Sequence, residues 1–547
     1  MARLLVSGLE MSRSWDCLEL IMSYWYQPQF YKSGKLWYRW GCGLVAILLL
    51  VNLFPGFALA SELSPPSIQP YLDQVKGAVT EFNLDNGLKF IVLEQHQAPV
   101  LSFMTYANVG SADEPDGQTG VAHFLEHLAF KGTQGIGTRD YAAENKLLDH
   151  LDRLFDQIQT LRSQGDASTT GDQAGELQAL EEEFRATQQQ AASYVVQNEL
   201  GRIIEQAGGV GLNATTSTDA TRYFYSLPSN KLELWMSLES ERFLQPVFRE
   251  FYEEKDVILE ERRMRVDNDP VSQLFEAVQQ KAFQVHPYKR PVIGYESDIR
   301  NLTRQNVKDF FAQYYTPENL TMTIVGDVDP QEVKQLADLY FGRFPKGAVS
   351  LPNLPVEPPQ TEPYTITLTR PTQPWTIAAY HIPGVTDPDF VGYELLGNIL
   401  SNGRTSRLYD RLVDEQQIAI VARGFTGYPN DKYANLMVFY VLPAPNHTLE
   451  EVEAALNQEL DRLTQEPVTQ EELNRVKNQV RAGLLRSLQS NSGLASQLAE
   501  YEVKTGSWQN LFTQLDRILS ITPADLQHLA QQTFRAENRT IGRLLPE

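Results

Sequence analysis

The sequence predicts an α+β fold of two homologous αβ sandwich halves, each a mixed or antiparallel sheet covered by helices, with a helical hairpin inserted in the first half. Three observations predict it. Strand-like alternation and long helical patterns recur in both halves. The halves also match where they end. "NLTRQNVKDFFAQYYTPENLT" aligns without gaps with "SITPADLQHLAQQTFRAENRT", placing Leu302 on Ile521, Thr303 on Thr522, Asn319 on Asn538 and Thr321 on Thr540, an offset of 219. Near their starts Tyr106, Gly110 and Asp113 match Tyr380, Gly384 and Asp387, an offset of 274. The first half is therefore longer by 274 − 219 = 55 residues, all between 113 and 302, and a long helical region lies there.

The first sixty residues read as a targeting segment. Lys32, Lys35 and Arg39 precede the apolar run "GLVAILLLVNLFPGFALA", which ends in an Ala-x-Ala pattern at Ala58 and Ala60. Asn52 and Pro55 break the run, so a cleaved secretory signal is favoured over a retained membrane anchor. The expectation is export across a membrane, to a periplasm or equivalent lumen, with membrane attachment only if this segment is kept. Its Cys17 and Cys42 are the only two cysteines, which excludes thiolate zinc sites and leaves histidine and carboxylate as ligands. The net charge of −22 argues against nucleic acid or anionic lipid as the main partner.

From Val79, "VTEFNLDNGLKFIVLEQHQAPVLSFMTYANVGSADEP" reads as two strands around an Asn-Gly turn, then a third strand and a loop. A short motif helix follows, and then helix from Arg139 to about Gly208. Leu147, Leu151, Leu154, Ile158 and Leu161 recur at four-three spacing, "SQGDASTTGD" interrupts, and Leu177, Leu180, Phe184 and Ala191 resume it: a helical hairpin coiled on itself. "GGVGLNATTSTDATRYFYSLP" gives a glycine turn and strands, and a helix from Lys231 to Phe243 leads to the acidic helix "FREFYEEKDVILEERRM". The resulting organisation is a targeting segment at 1–60, a first half at 61–345 with its insert at about 145–200, a Pro-rich linker at 346–363 and a second half at 364–547.

The chemistry concentrates in "GVAHFLEHLAFKGT", from Gly120. On a helix, His123 and His127 lie one turn apart on one face, and Glu126 shares it. Two such imidazoles can hold one Zn²⁺, with the carboxylate placed to take a proton from a water that the ion polarises. The order is that of the inverted H-x-x-E-H metallopeptidase signature. A third protein ligand is needed. On the acidic helix Glu254 and Glu261 share a face two turns apart, but so do Glu253 and Glu260, and geometry alone does not choose. A solvated face paired with Lys255, Arg262 and Arg263 is the ordinary alternative.

Together "HFLEHLAFKGT", "GLNATTSTDATRYFYSLP" and "EEKDVILEERRMRVDNDP" resemble the pitrilysin/insulinase superfamily of zinc peptidases, in particular the bacterial relatives of the mitochondrial processing peptidase. The likeness runs from about Val79 to the end. It implies zinc endopeptidase activity with one Zn²⁺ per chain, His123, His127 and Glu261 as ligands, Glu126 as base and Glu254 as support. It also implies that a peptide adds to an edge strand at Asn213, Ala214 and Thr215. Members usually carry an Arg and a Tyr, seven apart, in the second half to grip substrate. In "SRLYDRLVDEQQIAIVARG" those places fall to Val413 and Ile420, while Arg411 and Tyr409 are wrongly spaced. Neither aliphatic side chain can bond a peptide carbonyl. The expected partners are thus a peptide or unfolded protein segment and a related subunit, forming a heterodimer, that supplies the Arg/Tyr pair. The rival reading is a non-catalytic peptide-binding or structural subunit of the same fold.

Overall fold

The computed structural model describes residues 69–164, 171–347 and 353–547. The targeting segment, residues 165–170 in the interruption of the helical hairpin and residues 348–352 of the Pro-rich linker lie outside the described residues. Gln69–Gly77 is a nine-residue helix, α1. Ala78–Glu547 form one compact unit holding both halves.

The first half contains β1 (Val79–Asn83), β2 (Lys89–Glu94), β3 (Val100–Ala107), α2 (Val121–Leu128), α3 (Tyr141–Gln164), α4 (Gly171–Ala192), α5 (Glu199–Gln206), β4 (Val210–Thr216), β5 (Thr221–Pro228), α6 (Leu232–Leu244), α7 (Phe251–Arg262), α8 (Pro270–Ala282), α9 (Glu296–Asn301), α10 (Arg304–Tyr314), β6 (Leu320–Gly326) and α11 (Pro330–Phe341). The second contains β7 (Tyr364–Arg370), β8 (Trp375–Ile382), α12 (Phe390–Ser401), β9 (Ala419–Tyr428), β10 (Asn435–Pro443), α13 (Leu449–Gln465), α14 (Gln470–Ser487), α15 (Asn491–Thr505), α16 (Asn510–Ser520), α17 (Pro523–Thr533) and β11 (Arg539–Pro546).

The two sheets share one topology apart from β1, which only the first has among the described residues. Their orders are β1-β2-β6-β3-β5-β4 and β7-β11-β8-β10-β9. Each has one parallel pair, β2 with β6 and β7 with β11, and is otherwise antiparallel. The matched sequence ends are working parts of this plan. Thr303 and Thr522 are N-caps in capping boxes with Asn306 and Asp525. Asn319 Nδ2 donates to Tyr314 O and Asn108 O, and Asn538 Nδ2 to Thr533 O and His381 O. Aligning Tyr106 with Tyr380 would pair Asn108 with Ile382, so the strand register differs by one residue from the sequence match. The difference is absorbed before Gly384.

The halves exchange helices. Second-half α15 lies on β3 and β6, and first-half α8 lies on β7, β8 and β11. At that crossing a Cβ on Gly542 would stand 2.4 Å from Val278 Cγ2, so a side chain there would push α8 away. Leu494 and Leu498 of α15 are 1% and 0% exposed, and burying two leucines is worth about 3–6 kcal/mol. Lys89 Nζ to Glu502 at 2.5 Å and Trp508 Nε1 to Glu81 at 2.7 Å add polar ties. Such exchange makes the two halves one body.

The helical insert stands on the first half. His150 and Glu183, at 3.0 Å, and Arg162 and Glu181, at 2.8 Å, join α3 to α4. Its root is apolar: Leu148, Leu151, Leu154 and Ile158 are buried. Leu147 is only partly buried, because the root must face the domain as well as α4.

Candidate active site

Sequence folds α2 into a helix with a defined entry. Gly120, its N-cap, has φ 91°, a conformation that side chains resist. A Cβ there would also stand 2.7 Å from Ile293 O. The buried carboxylate of Glu114 accepts from Gly120 N and Ala122 N, both at 2.9 Å, and so satisfies donors at the helix start. Val121, Ala122, Phe124, Leu125 and Leu128 are buried, which leaves His123, Glu126 and His127 on the opposite face. Phe124 stacks on Phe251 of α7, with ring centroids 4.6 Å apart and planes 17° apart.

That stacking sets α2 against α7. The inner face of α7 carries Phe251, Tyr252, Lys255, Ile258 and Arg262. Lys255 Nζ donates to Arg300 O and Leu302 O at 3.2 and 2.6 Å, and Arg262 Nη1 to Gly294 O at 2.7 Å. With those contacts fixing its rotation, α7 turns Glu254 and Glu261 toward α2. Glu261 Oε2 lies 3.8 Å from His123 Nε2 and 3.5 Å from His127 Nε2. Glu253 instead accepts from Gln188, and Glu260 pairs with Arg263.

Donors at tetrahedral corners about 2.1 Å from a zinc ion stand roughly 3.4 Å apart. Two imidazoles and a carboxylate at these separations therefore fit one zinc ion. His123, His127 and Glu261 form the one group of converging metal-ligand side chains among the described residues. Burial, with the charges of His127 and Arg265, pushes His123 down to about 3, which keeps its ring in the neutral, ligating form. On the other edge of the second ring, His127 Nδ1 donates to Glu254 Oε2 at 3.2 Å. Against its burial, hydrogen bonds from His127 and Lys131 hold the Glu254 carboxyl below its ordinary range. Lys131 also reaches Glu250 Oε2 at 3.1 Å, and Arg265 Nη1 lies 3.1 Å from Glu261 Oε1.

Glu126 is held by its own partner, Thr216 Oγ1, which donates to Oε2 at 2.5 Å. Burial pushes the Glu126 carboxyl up, and the Thr216 hydrogen bond opposes that rise. Asn213, Ala214 and Thr215 precede Thr216 on β4, an edge strand, so one side of this segment faces no strand among the described residues. Val413 lies in a π-helical turn, Tyr409–Glu415, with Tyr409 and Arg411. Ile420 is the second residue of β9 and is 48% exposed. Arg411 is engaged by Glu415 at 2.6 Å.

Sequence reasoning missed Thr216, Lys131 and Arg249. Arg249 is fully buried, donates to Glu144 Oε1 at 2.9 Å and binds the carbonyls of Lys131, Thr133 and Ile136, shaping the loop after α2. Charge was the available signal for Lys131 and Arg249, whereas Thr216 offered none. The second half has a counterpart of Lys255: Lys477 Nζ donates to Leu519 O and Ile521 O at 2.8 and 2.6 Å. Counting from these lysines, Val476 and Gly483 occupy the places of Glu254 and Glu261, so the counterpart helix lacks those acids.

A helix bearing His123, Glu126 and His127 thus faces the Glu254/Glu261 helix beside β4 and β5 of the first sheet, and comparison with known proteins gives the class. The family profile described as Insulinase (Peptidase family M16) matches residues 90–150 and 188–296, and that described as Peptidase M16 inactive domain matches 301–480. The break at 151–187 falls on the helical insert. The chain is similar to the zinc protease PqqE of Helicobacter pylori, 27% identical over 85% of this chain and 92% of that one. It is similar to the mitochondrial-processing peptidase subunit beta of Lentinula edodes, 24% identical over 83% and 88%. The crystal structure of a protease from Helicobacter pylori matches with TM-score 0.71 and 26% identity, over 86% of this chain and 99% of that one. The chain belongs to the M16 peptidases of the pitrilysin/insulinase superfamily.

Proposed function

We propose that this chain is a zinc-dependent endopeptidase acting on peptides or unfolded protein segments. The observation that carries the reading is the convergence of His123 Nε2, His127 Nε2 and Glu261 Oε2, with Glu126 on the same helix face. A zinc ion held by these three residues supplies Lewis acidity, polarising the scissile carbonyl and making a water nucleophilic at neutral pH. Glu126 takes the proton of the attacking water and delivers it to the leaving amine. Glu254 keeps His127 in the tautomer whose Nε2 can ligate. A peptide lies along the free edge of β4 at Asn213, Ala214 and Thr215, held by backbone hydrogen bonds that demand little of its sequence.

The second subunit follows from two observations. The exchanged helices α8 and α15 tie the two halves to each other, which supports a chamber that closes between subunits. Val413 and Ile420 cannot hold a peptide carbonyl. We therefore propose a heterodimer with a related chain that supplies an Arg/Tyr grip. We also propose that the chain is exported, on the strength of the leader at 1–60. No helix among the described residues is long and apolar enough to cross a membrane.

The test is metal analysis and peptide digestion by the mature chain, alone and with its co-purifying partner. About one zinc per chain and peptide-bond cleavage are expected. Full zinc with no cleavage in either state supports instead the non-catalytic subunit.

A further inference from the structure

Glu126 does not stand free. Thr216, which holds it, is 7% exposed and closes β4 opposite Thr221 of β5. Its side chain is therefore aimed by the turn of residues 217–220. Within that turn Ser217 N donates to Ala220 O at 2.8 Å, and Ala220 N to Ser217 Oγ at 3.2 Å. From the first half, Ser111 N and Ala112 N donate to Ser217 O and Thr218 O at 3.2 and 2.9 Å. The approach is close enough that a Cβ on Gly110 would stand 2.3 Å from Ser217 O.

The other supports come from the second half. Asn430 Nδ2 donates to Ser217 Oγ at 3.1 Å. Lys504 Nζ holds Asn430 Oδ1 at 3.3 Å and is itself anchored by Asp431 at 2.5 Å and Glu500 at 2.6 Å. A second tie runs from Tyr433 N to the Tyr288 hydroxyl at 3.3 Å, and from that hydroxyl to Asp219 Oδ2 at 2.6 Å. The segment between β9 and β10 thus reaches the turn that carries the partner of Glu126 at two places, Ser217 directly and Asp219 through Tyr288.

We propose that Thr216 and Asn430 are positioning residues for the base, Thr216 directly and Asn430 through Ser217 and its turn, so that the second half completes the catalytic apparatus of the first. The inference rests on the peptidase reading above. A carboxylate with one oxygen fixed presents the other to water in a single orientation, and a misplacement of about 1 Å costs on the order of 10²-fold in rate. Neither residue is a metal ligand, and Thr216, next after the segment where the peptide is expected, spends its side chain on Glu126, so the loss falls on kcat.

The experiment is steady-state kinetics and zinc analysis of the full mature chain, with its partner, for Thr216→Val, Thr216→Ser, Asn430→Ala and the near-isosteric Asn430→Leu. For Thr216→Val kcat falls ~10–100-fold with KM within ~2-fold and zinc retained. Thr216→Ser restores kcat to within ~3-fold, and Asn430→Ala lowers it by ~3–10-fold with zinc and the unfolding midpoint unchanged. If Asn430→Ala does not fold, Asn430→Leu, which keeps the shape but can neither donate to nor accept from Ser217, gives the same reading. Unchanged kcat in Thr216→Val or in the folded Asn430 variant overturns the inference. So does zinc loss in Thr216→Val, or a Thr216→Ser as slow as Thr216→Val. A zinc-loaded wild type with no hydrolysis overturns the peptidase reading and this inference with it; an active wild type whose variants miss this pattern overturns the inference alone.

Discussion

His127 is held at both edges of its ring: Nδ1 donates to Glu254 Oε2 at 3.2 Å, while Nε2 faces Glu261 Oε2 at 3.5 Å. One helix, α7, supplies both acids, two turns apart. They have different tasks, one toward the ion and one behind the ligand, and they separate by mutation.

Glu261→Gln is expected to lose most bound zinc, because an amide oxygen is a weak substitute for a carboxylate ligand. Glu260→Gln, whose side chain pairs with Arg263 at the surface, is expected to keep it. Metal analysis after dialysis against a mild chelator reads the difference. Zinc loss in Glu260→Gln alone would place the ligand one residue earlier.

Glu254→Gln is expected to bind zinc ~10–100-fold more weakly without abolishing the site, the usual effect of removing a partner behind a ligating histidine. Competition with a chromophoric chelator measures it. An affinity equal to wild type would show that Glu254 does not orient His127.

The helical insert is expected to be separable only above its root. Excising about residues 160–181 and closing with a short turn leaves a folded, zinc-binding protein, because most of the described side chains removed are exposed. Extending the cut to Ile158, 4% exposed, and Phe184, which packs 4.9 Å from Tyr252 of α7, costs about 2–5 kcal/mol. Denaturant titration with zinc analysis checks both. Collapse after the shorter excision would make the whole insert part of the core.

How far the sequence reached is visible in these same residues. The motif helix was legible because His123, Glu126 and His127 fall within one local turn pattern. The acids of α7 were legible only through the family resemblance, because two seven-residue pairs lie side by side and the burial of Phe251, Lys255 and Ile258 fixes which pair turns inward. The duplication was legible at Thr303 and Thr522, where capping imposes residue types, and less so at Tyr106 and Tyr380, where one residue of loop hides the strand register. The exchange of α8 and α15 left no trace, since an amphipathic helix does not record which sheet it covers. Thr216 was invisible: a threonine in a strand is ordinary, and its contact with Glu126 spans 90 residues.

The isolated chain is expected to hydrolyse peptides weakly and to gain at least ~10-fold with a related partner, the equivalent of ~1.4 kcal/mol of transition-state binding. A partner whose own Arg/Tyr pair is replaced is expected not to restore the rate. Full activity from the isolated chain would remove the need for a heterodimer and leave the metal site untouched.

The most direct measurement is zinc content and peptide hydrolysis on the same preparation of Glu126→Gln. The base is changed and no ligand is, so zinc is expected to stay at about one per chain while hydrolysis falls by at least ~10²-fold. Normal hydrolysis in that variant would contradict the assignment of Glu126, and with it the proposed chemistry.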